Sequence, residues 1–114
     1  MKNIMNLSNG YQAVIAYDPE IEMFRGELIN VNGGADFYAS NLEELRREGE
    51  ISLKVFLEAC AEKGYEPRKK VSGKFMLRLD RDLYAKASTV AASMGISLNN
   101  FIKEAIVRSV AENS

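Results

Sequence analysis

Three side chains that can contact DNA bases alternate with three apolar side chains in one short stretch of the sequence. The first set is Lys74, Met76 and Arg78, and the apolar set is Phe75, Leu77 and Leu79. Because successive strand side chains point to opposite faces, this pattern predicts a strand with one cationic face and one core face. Arginine and lysine pair with guanine O6 and N7, and an apolar side chain can contact the thymine methyl group. An ordinary solvated strand face is the alternative, but the capped helices that follow favour base readout.

The predicted strand has no partner nearby in the sequence, since two helical patterns follow it and no second strand does. A strand without a partner is unstable in water. An identical strand from a second chain, antiparallel across a two-fold axis, would form a two-stranded ribbon that fits the major groove. We therefore predict a homodimer, or a higher even-numbered homo-oligomer, with Phe75, Leu77 and Leu79 in the dimer core.

Two helices are predicted after this strand. Asp80 is placed to cap the first helix, in which apolar residues recur at helical spacing until Gly95 stops it. Ser97 is placed to cap the second helix. The apolar stripe of this second helix adds Phe101 and Ile102 to the predicted dimer core.

The start of the second helix is a candidate anchor for DNA phosphate. Its first turn, Leu98, Asn99 and Asn100, is predicted to carry free backbone N–H groups behind the Ser97 cap. The succession of strand, helix, glycine turn and serine-capped helix resembles the ribbon-helix-helix repressors, over about residues 72–111. That resemblance implies a β-α-α domain that dimerises and binds operator DNA.

Composition limits the other classes of function. The chain has 114 residues, 46% of them hydrophobic, with no apolar run long enough to cross a bilayer, so we predict a soluble globular protein without a membrane partner. The segment Met1–Asn6 lacks the apolar core of a secretory signal, which makes the cytoplasm the expected location. With no histidine and one cysteine, Cys60, the sequence predicts neither a metal site nor another cofactor.

The charge of the chain changes sign near Pro67. Residues 1–66 contain 6 basic and 12 acidic side chains, whereas residues 67–114 contain 9 basic and 4 acidic ones. The acidic part suits a basic partner or a solvated surface, and the basic part suits phosphate. We predict an N-terminal domain over residues 1–66, a linker or short fourth strand over residues 67–72, and a DNA-binding domain over residues 73–114.

The N-terminal part predicts three strands and a helix. The strands are expected at residues 11–17, 21–30 and 35–39. A capping box of Ser40 and Glu43 is expected to open the helix, which Gly64 ends. Gly49, in the middle of the helix, indicates a kink or close packing. The predicted fold class is therefore α+β, with a β-β-β-α domain before the β-α-α domain.

The whole pattern resembles the HicB antitoxins. The matching motifs are Tyr17-Asp18-Pro19-Glu20, Ser40-x-x-Glu43, Leu57-x-x-Cys60, the segment Ser72 to Leu79, and Ser97-Leu98-Asn99-x-Phe101-Ile102. The resemblance implies a degraded RNase H-like N-terminal domain that binds and neutralises a HicA-type toxin, a small mRNA-cleaving ribonuclease. It also implies that the C-terminal domain represses the protein's own operon.

Two alternatives to an antitoxin remain open from the sequence. The first is a stand-alone regulator without a toxin, whose N-terminal domain serves oligomerisation or ligand sensing. The second is a metal-dependent nuclease using carboxylates on an RNase H-like sheet; the available carboxylates are Asp18, Glu20, Glu22, Glu27 and Asp36. No regular spacing brings three of these together, so we predict that the protein is not an enzyme.

Overall fold

The computed structural model describes residues 3–114, which form two compact units, residues 3–71 and residues 72–114. Within this range a four-stranded antiparallel sheet is followed by three helices, which confirms the predicted α+β class. No helix of residues 3–114 combines the length and the apolar character needed to cross a membrane.

The first unit is a meander of four strands covered by one helix. Its elements are β1 (Ile4–Asn6), β2 (Gln12–Asp18), β3 (Met23–Leu28), β4 (Asp36–Ala39) and α1 (Leu42–Lys63). The strands lie in the order β1-β2-β3-β4, each antiparallel to the next. The sequence predicted β2, β3 and β4 but missed β1, since a three-residue strand is too short to show alternation.

Alternation along the strands places the core between the sheet and α1. The buried side chains are Met5, Leu7, Tyr11, Ala13, Leu28, Val31, Phe37, Ala39, Leu45 and Leu53. Met5, Ala13 and Leu28 lie side by side across β1, β2 and β3, because Met5 pairs with Ala13 and Ala13 with Leu28. The helix therefore covers one face of the sheet only.

Gly26 leaves room on the sheet for the buried ring of Phe37. It pairs with Phe37 across β3 and β4, and a Cβ atom at position 26 would lie 2.2 Å from the ring. We expect Gly26→Ala to lower the free energy of unfolding by about 1–3 kcal/mol, as overpacked cores do. Gly34→Ala is the matched control, since beyond the adjacent residues no described atom would lie within 4 Å of a Cβ there. Urea unfolding of both variants tests this, and equal stability would contradict it.

The start of α1 differs from the prediction, whereas its end agrees with it. The helix is capped by Asn41, whose side-chain oxygen accepts a hydrogen bond from the Glu44 N–H (2.9 Å), and not by Ser40. Asparagine and serine are equally good caps, so two neighbouring candidates cannot be separated by residue type. Gly64 ends the helix in the left-handed conformation as predicted. Gly49 marks close packing, because a Cβ there would lie 2.9 Å from the Phe37 ring.

The segment after α1 is fastened to the first unit. Asn32 donates from its side-chain amide to the carbonyl oxygens of Glu66 (2.7 Å) and Arg68 (3.1 Å). The Arg68 guanidinium lies 3.9 Å above the Tyr11 ring and donates to the Asn9 carbonyl oxygen. Residues 67–69 thus form neither a free linker nor a regular strand, but an isolated bridge to Val31. The exposed Arg68 side chain is therefore held by contacts within the first unit.

The second unit consists of an irregular segment and two helices, α2 (Arg81–Ser93) and α3 (Leu98–Asn113). As predicted, Asp80 caps α2, accepting a hydrogen bond from the Leu83 N–H (2.8 Å). Gly95 follows α2 in the left-handed conformation, with φ of 73°, which glycine adopts without steric cost. The chain then turns into α3.

Candidate nucleic-acid interface

The segment that carries the alternating side chains begins at a local turn. The Ser72 hydroxyl accepts a hydrogen bond from the Lys74 N–H (3.1 Å) and donates to the Lys74 carbonyl oxygen (3.0 Å). Gly73 between them has φ of 75°. From Lys74 to Leu79 the chain has no hydrogen-bonded strand partner among the residues that the structure describes. The strand predicted for these residues is therefore not formed within the single chain.

Both faces of this segment are accessible in the single chain. Lys74 and Arg78 are exposed, and 92% of Met76 is accessible. On the other face 71% of Phe75 is accessible, which is unusual for a phenylalanine in a protein of average composition. The side chains of the cationic face are therefore accessible to a DNA molecule. Those of the apolar face are not buried as core side chains are.

The apolar face borders a groove over α2 and α3. The groove measures about 390 Å³ and its lining residues, all apolar except one, are Phe75, Leu77, Leu79, Leu83, Ala87, Phe101, Ile102, Ala105, Ile106 and Ser109. All five residues predicted for the dimer core, two of them on α3, therefore line one surface. Half of the Leu83 side chain is also exposed. The second unit therefore presents an apolar groove whose lining is partly exposed.

The structure agrees with the cap predicted at the start of α3 but differs in which N–H groups are free to bind phosphate. Ser97 caps the helix as predicted, since its hydroxyl oxygen accepts a hydrogen bond from the Asn100 N–H (3.1 Å). This bond occupies the Asn100 N–H, which was expected to be free. Leu98 and Asn99 are the positions of this turn whose N–H groups point out of the helix start. These two groups lie at the positive end of the α3 dipole, where an anion is stabilised.

Removal of the Ser97 hydroxyl tests this anchor. We expect Ser97→Ala to cost about 0.5–2 kcal/mol of stability, as the loss of a helix cap does. A frayed helix start should weaken binding to operator and random DNA by the same factor, because phosphate contacts do not distinguish base sequences directly. Fluorescence anisotropy with both duplexes measures this. Loss of sequence preference alone would contradict the role.

Three of the five carboxylates considered for metal-dependent catalysis make ion pairs or hydrogen bonds within the protein. Arg25 binds both Asp36 (2.6 Å) and Glu27 (2.7 Å) on the sheet face away from α1. The hydrogen bond and charge of Asp36, with a smaller effect of Glu27, raise the pKa of the Arg25 guanidinium above its ordinary value. Asp18 accepts a hydrogen bond from the Glu20 N–H (3.0 Å) in the turn after β2. Within residues 3–114 no three acidic, cysteine or histidine side chains are grouped as metal ligands.

A second exposed apolar surface lies on α1 and was not predicted. The apolar residues expected on the side of the helix that covers the sheet were Leu42, Leu45, Leu53, Phe56, Leu57 and Cys60, a set without Ile51 and Val55. The structure leaves 54% of Ile51 and 60% of Val55 accessible. The available signal was their spacing of four residues, which sets both on one line of α1, apart from buried Leu45 and Leu53.

Comparison with known proteins supports part of the resemblance. Residues 56–106 match the model of the HicB family, a range that covers slightly less than half of the chain, from the middle of α1 into α3. No curated protein and no solved structure gives a significant match. The family match includes the Leu57-x-x-Cys60 motif, the alternating segment and the Ser97 cap. It therefore supports a HicB-type protein with an antitoxin-type or HicB-like function.

Proposed function

We propose that this protein is a HicB-type antitoxin that also represses its own operon. Residues 72–114 form a ribbon-helix-helix dimer that binds operator DNA. Residues 3–71, a degraded RNase H-like domain, bind a HicA-type toxin and neutralise its cleavage of mRNA. The family match over residues 56–106 supports this general class of function.

The observation that carries the proposal is the uncovered apolar groove beside an unpaired alternating segment. Phe75 and Leu77 remain exposed beside α2 and α3 within one chain, and both border the groove. Burial of apolar surface contributes roughly 25 cal/mol per Å², so a second copy that closes this groove stabilises both chains. Pairing of the two segments also satisfies their backbone N–H and C=O groups.

The resulting ribbon determines which side chains meet DNA. Two copies of Lys74, Met76 and Arg78 face outward and enter the major groove, which admits a two-stranded ribbon. Arg78 pairs with guanine O6 and N7, Lys74 contacts a base or a phosphate, and Met76 contacts a thymine methyl group. The Leu98 and Asn99 N–H groups at the start of α3 bind phosphate on either side, which fixes the position of the ribbon.

The toxin-binding half of the proposal is supported by charge and by the family match. Residues 1–71 contain 9 basic and 12 acidic side chains and so carry a net charge of −3. A toxin that binds RNA presents a cationic surface, and opposite charge speeds encounter and excludes wrong partners. Occlusion of that cationic surface is enough to block RNA binding.

The proposal is tested on the full chain in two assays. Sedimentation equilibrium measures the oligomer, and anisotropy measures binding to the DNA upstream of the gene. Growth after induction of the toxin encoded beside the gene, with and without this protein, measures neutralisation. We expect a dimer or larger even-numbered oligomer, operator binding that weakens with salt, and rescued growth. A monomer without DNA binding would contradict the regulatory half, and failure to rescue would contradict the antitoxin half.

A stand-alone regulator is the second candidate, since the family match leaves residues 3–55 and therefore the whole sheet unmatched. In that case the first unit serves oligomerisation or ligand sensing. A neighbouring reading frame for a small basic protein with one key histidine favours the antitoxin. The absence of such a frame, together with intact operator binding, favours the lone regulator.

A further inference from the structure

The sheet of the first unit ends in a strand whose outer edge is unpaired. β4 pairs with β3 on one side, and no other strand of residues 3–71 lies beside it. The Ala35 carbonyl oxygen accepts a hydrogen bond from the Leu28 N–H (3.1 Å). Because these bonds recur at every second residue of an antiparallel pair, Phe37 also bonds toward β3, whereas Asp36 and Tyr38 direct their N–H and C=O groups outward. An incoming strand can pair with these groups.

An apolar groove runs along the same edge, between β4 and α1. It measures about 390 Å³ and is lined by Gly34, Ala35, Asp36, Ile51, Ser52, Val55, Phe56 and Ala59. Ile51, Val55 and Ala59 follow one another at intervals of four residues and so form one line on the helix. This line, the α1 stripe, faces the space that a strand added to β4 would occupy. Its side chains are more than half exposed at Ile51 and Val55.

The charge around the α1 stripe indicates the chemistry of the occupant. Three exposed glutamates continue the line at helical spacing, Glu44 and Glu48 before it and Glu62 after it. The described residues that line the groove include no lysine or arginine. By the rotation of about 100° per residue, Arg47 and Lys54 lie on the flank of Ile51 that faces away from β4. Lys63 follows Ala59 on the β4 side, so this side of α1 has one cation against three glutamates. A basic segment with apolar side chains on alternate positions complements this surface.

We propose that an extended basic segment of the toxin adds as a fifth strand to the outer edge of β4 and packs its apolar side chains on the α1 stripe. The inference rests on the proposed toxin binding and assigns it to one edge of the sheet. Backbone hydrogen bonds to Asp36 and Tyr38 supply affinity, and the side-chain pocket supplies specificity, as in other cases of strand addition.

The side-chain contacts are tested with the double variant Ile51→Lys/Val55→Lys in the full chain. The matched control is Ile21→Lys, which adds the same kind of charge at an isoleucine of similar exposure, 51%, in the turn between β2 and β3. The probe is the product of the adjacent small basic reading frame with its key histidine replaced. We expect the double variant to raise the Kd for this probe roughly 100-fold, which corresponds to about 2.7 kcal/mol. Ile21→Lys should leave the Kd within about twofold of the wild type.

The backbone contacts are tested with Tyr38→Pro against Tyr38→Val. Proline removes an N–H that faces away from β3, which an edge strand tolerates, whereas valine keeps it. We expect proline to raise the Kd about tenfold above that of the valine variant, with thermal melting as the check of folding. If the wild type binds the probe and all variants bind equally, strand addition at β4 is wrong while toxin binding stands. If the wild type does not bind, or no such reading frame exists, the toxin-binding proposal fails as well.

Discussion

Replacement of Lys74 and Arg78 together by alanine is expected to abolish specific operator binding and to leave the oligomer and its melting temperature nearly unchanged. Both side chains are exposed and neither takes part in the apolar groove of the second unit. A good pairing with a base contributes about 1–3 kcal/mol of discrimination, and in the proposed dimer each loss occurs twice. Competition anisotropy with operator and random duplexes measures the loss, and sedimentation equilibrium measures the oligomer.

Replacement of Phe75, which lies next to Lys74 on the opposite face, is expected to affect stability instead of base recognition. Phe75→Ala is expected to destabilise the dimer by roughly 2–5 kcal/mol, as large-to-small changes in a core do. It should shift dissociation to higher protein concentration and weaken DNA binding only through loss of the dimer. If Phe75→Ala and the double variant were equally stable, the assignment of the two faces would be wrong. If the double variant became monomeric, Lys74 and Arg78 would have a structural role.

The helix boundaries of the second unit could be predicted because each depends on local chemistry. A carboxylate or hydroxyl before an apolar repeat bonds to N–H groups three residues on, and Asp80 and Ser97 both do so. The same reasoning explains the error at α1, where Ser40 and Asn41 compete for one cap and the backbone decides in favour of Asn41. It also explains why the Asn100 N–H is not free, since a cap occupies one of the groups that the helix start exposes.

Features that depend on contacts distant in sequence could not be predicted. β1 exists because Ile4, Met5 and Asn6 pair with residues of β2, not because of their own pattern. By type alone, the basic residues 68–70 suit either contact with the DNA backbone or a soluble linker or short strand. The structure places Arg68 on the Tyr11 ring, far earlier in the chain, through a contact that no local signal encodes.

The candidate site shows the same division between local and distant effects. Five core residues were predicted from the alternation in residues 74–79 and the helical spacing in α3, and all five line one groove. The exposure of Ile51 and Val55 on the α1 stripe was not predicted. Both are core residues by type, and only the position of the sheet shows which side of α1 is covered. Periodicity identifies a face, whereas the opposing element decides whether that face is buried.

The second large effect is expected when the chain is divided after Val71. The cut lies between the two compact units and keeps the contacts of Asn32 and Arg68 intact. The fragment of residues 72–114 contains 6 basic and 4 acidic side chains and should form a dimer that binds operator DNA, with melting that depends on concentration. Its affinity should fall steeply with salt, because basic groups displace counterions from phosphate. The fragment of residues 1–71 should not bind DNA and should rescue growth from the toxin.

A shorter N-terminal fragment, residues 1–66, is the control for the position of the cut. It lacks Arg68, and with it the cation–π contact on Tyr11 and two hydrogen bonds, one to Asn9 and one from Asn32. These contacts contribute about 2–4 kcal/mol together at typical values, so residues 1–66 should melt well below residues 1–71. DNA binding by residues 1–71, or growth rescue by residues 72–114 alone, would show that the two activities are not divided between the units. Loss of rescue in residues 1–66 but not in residues 1–71 would instead assign the defect to stability, because both fragments contain β4 and the α1 stripe.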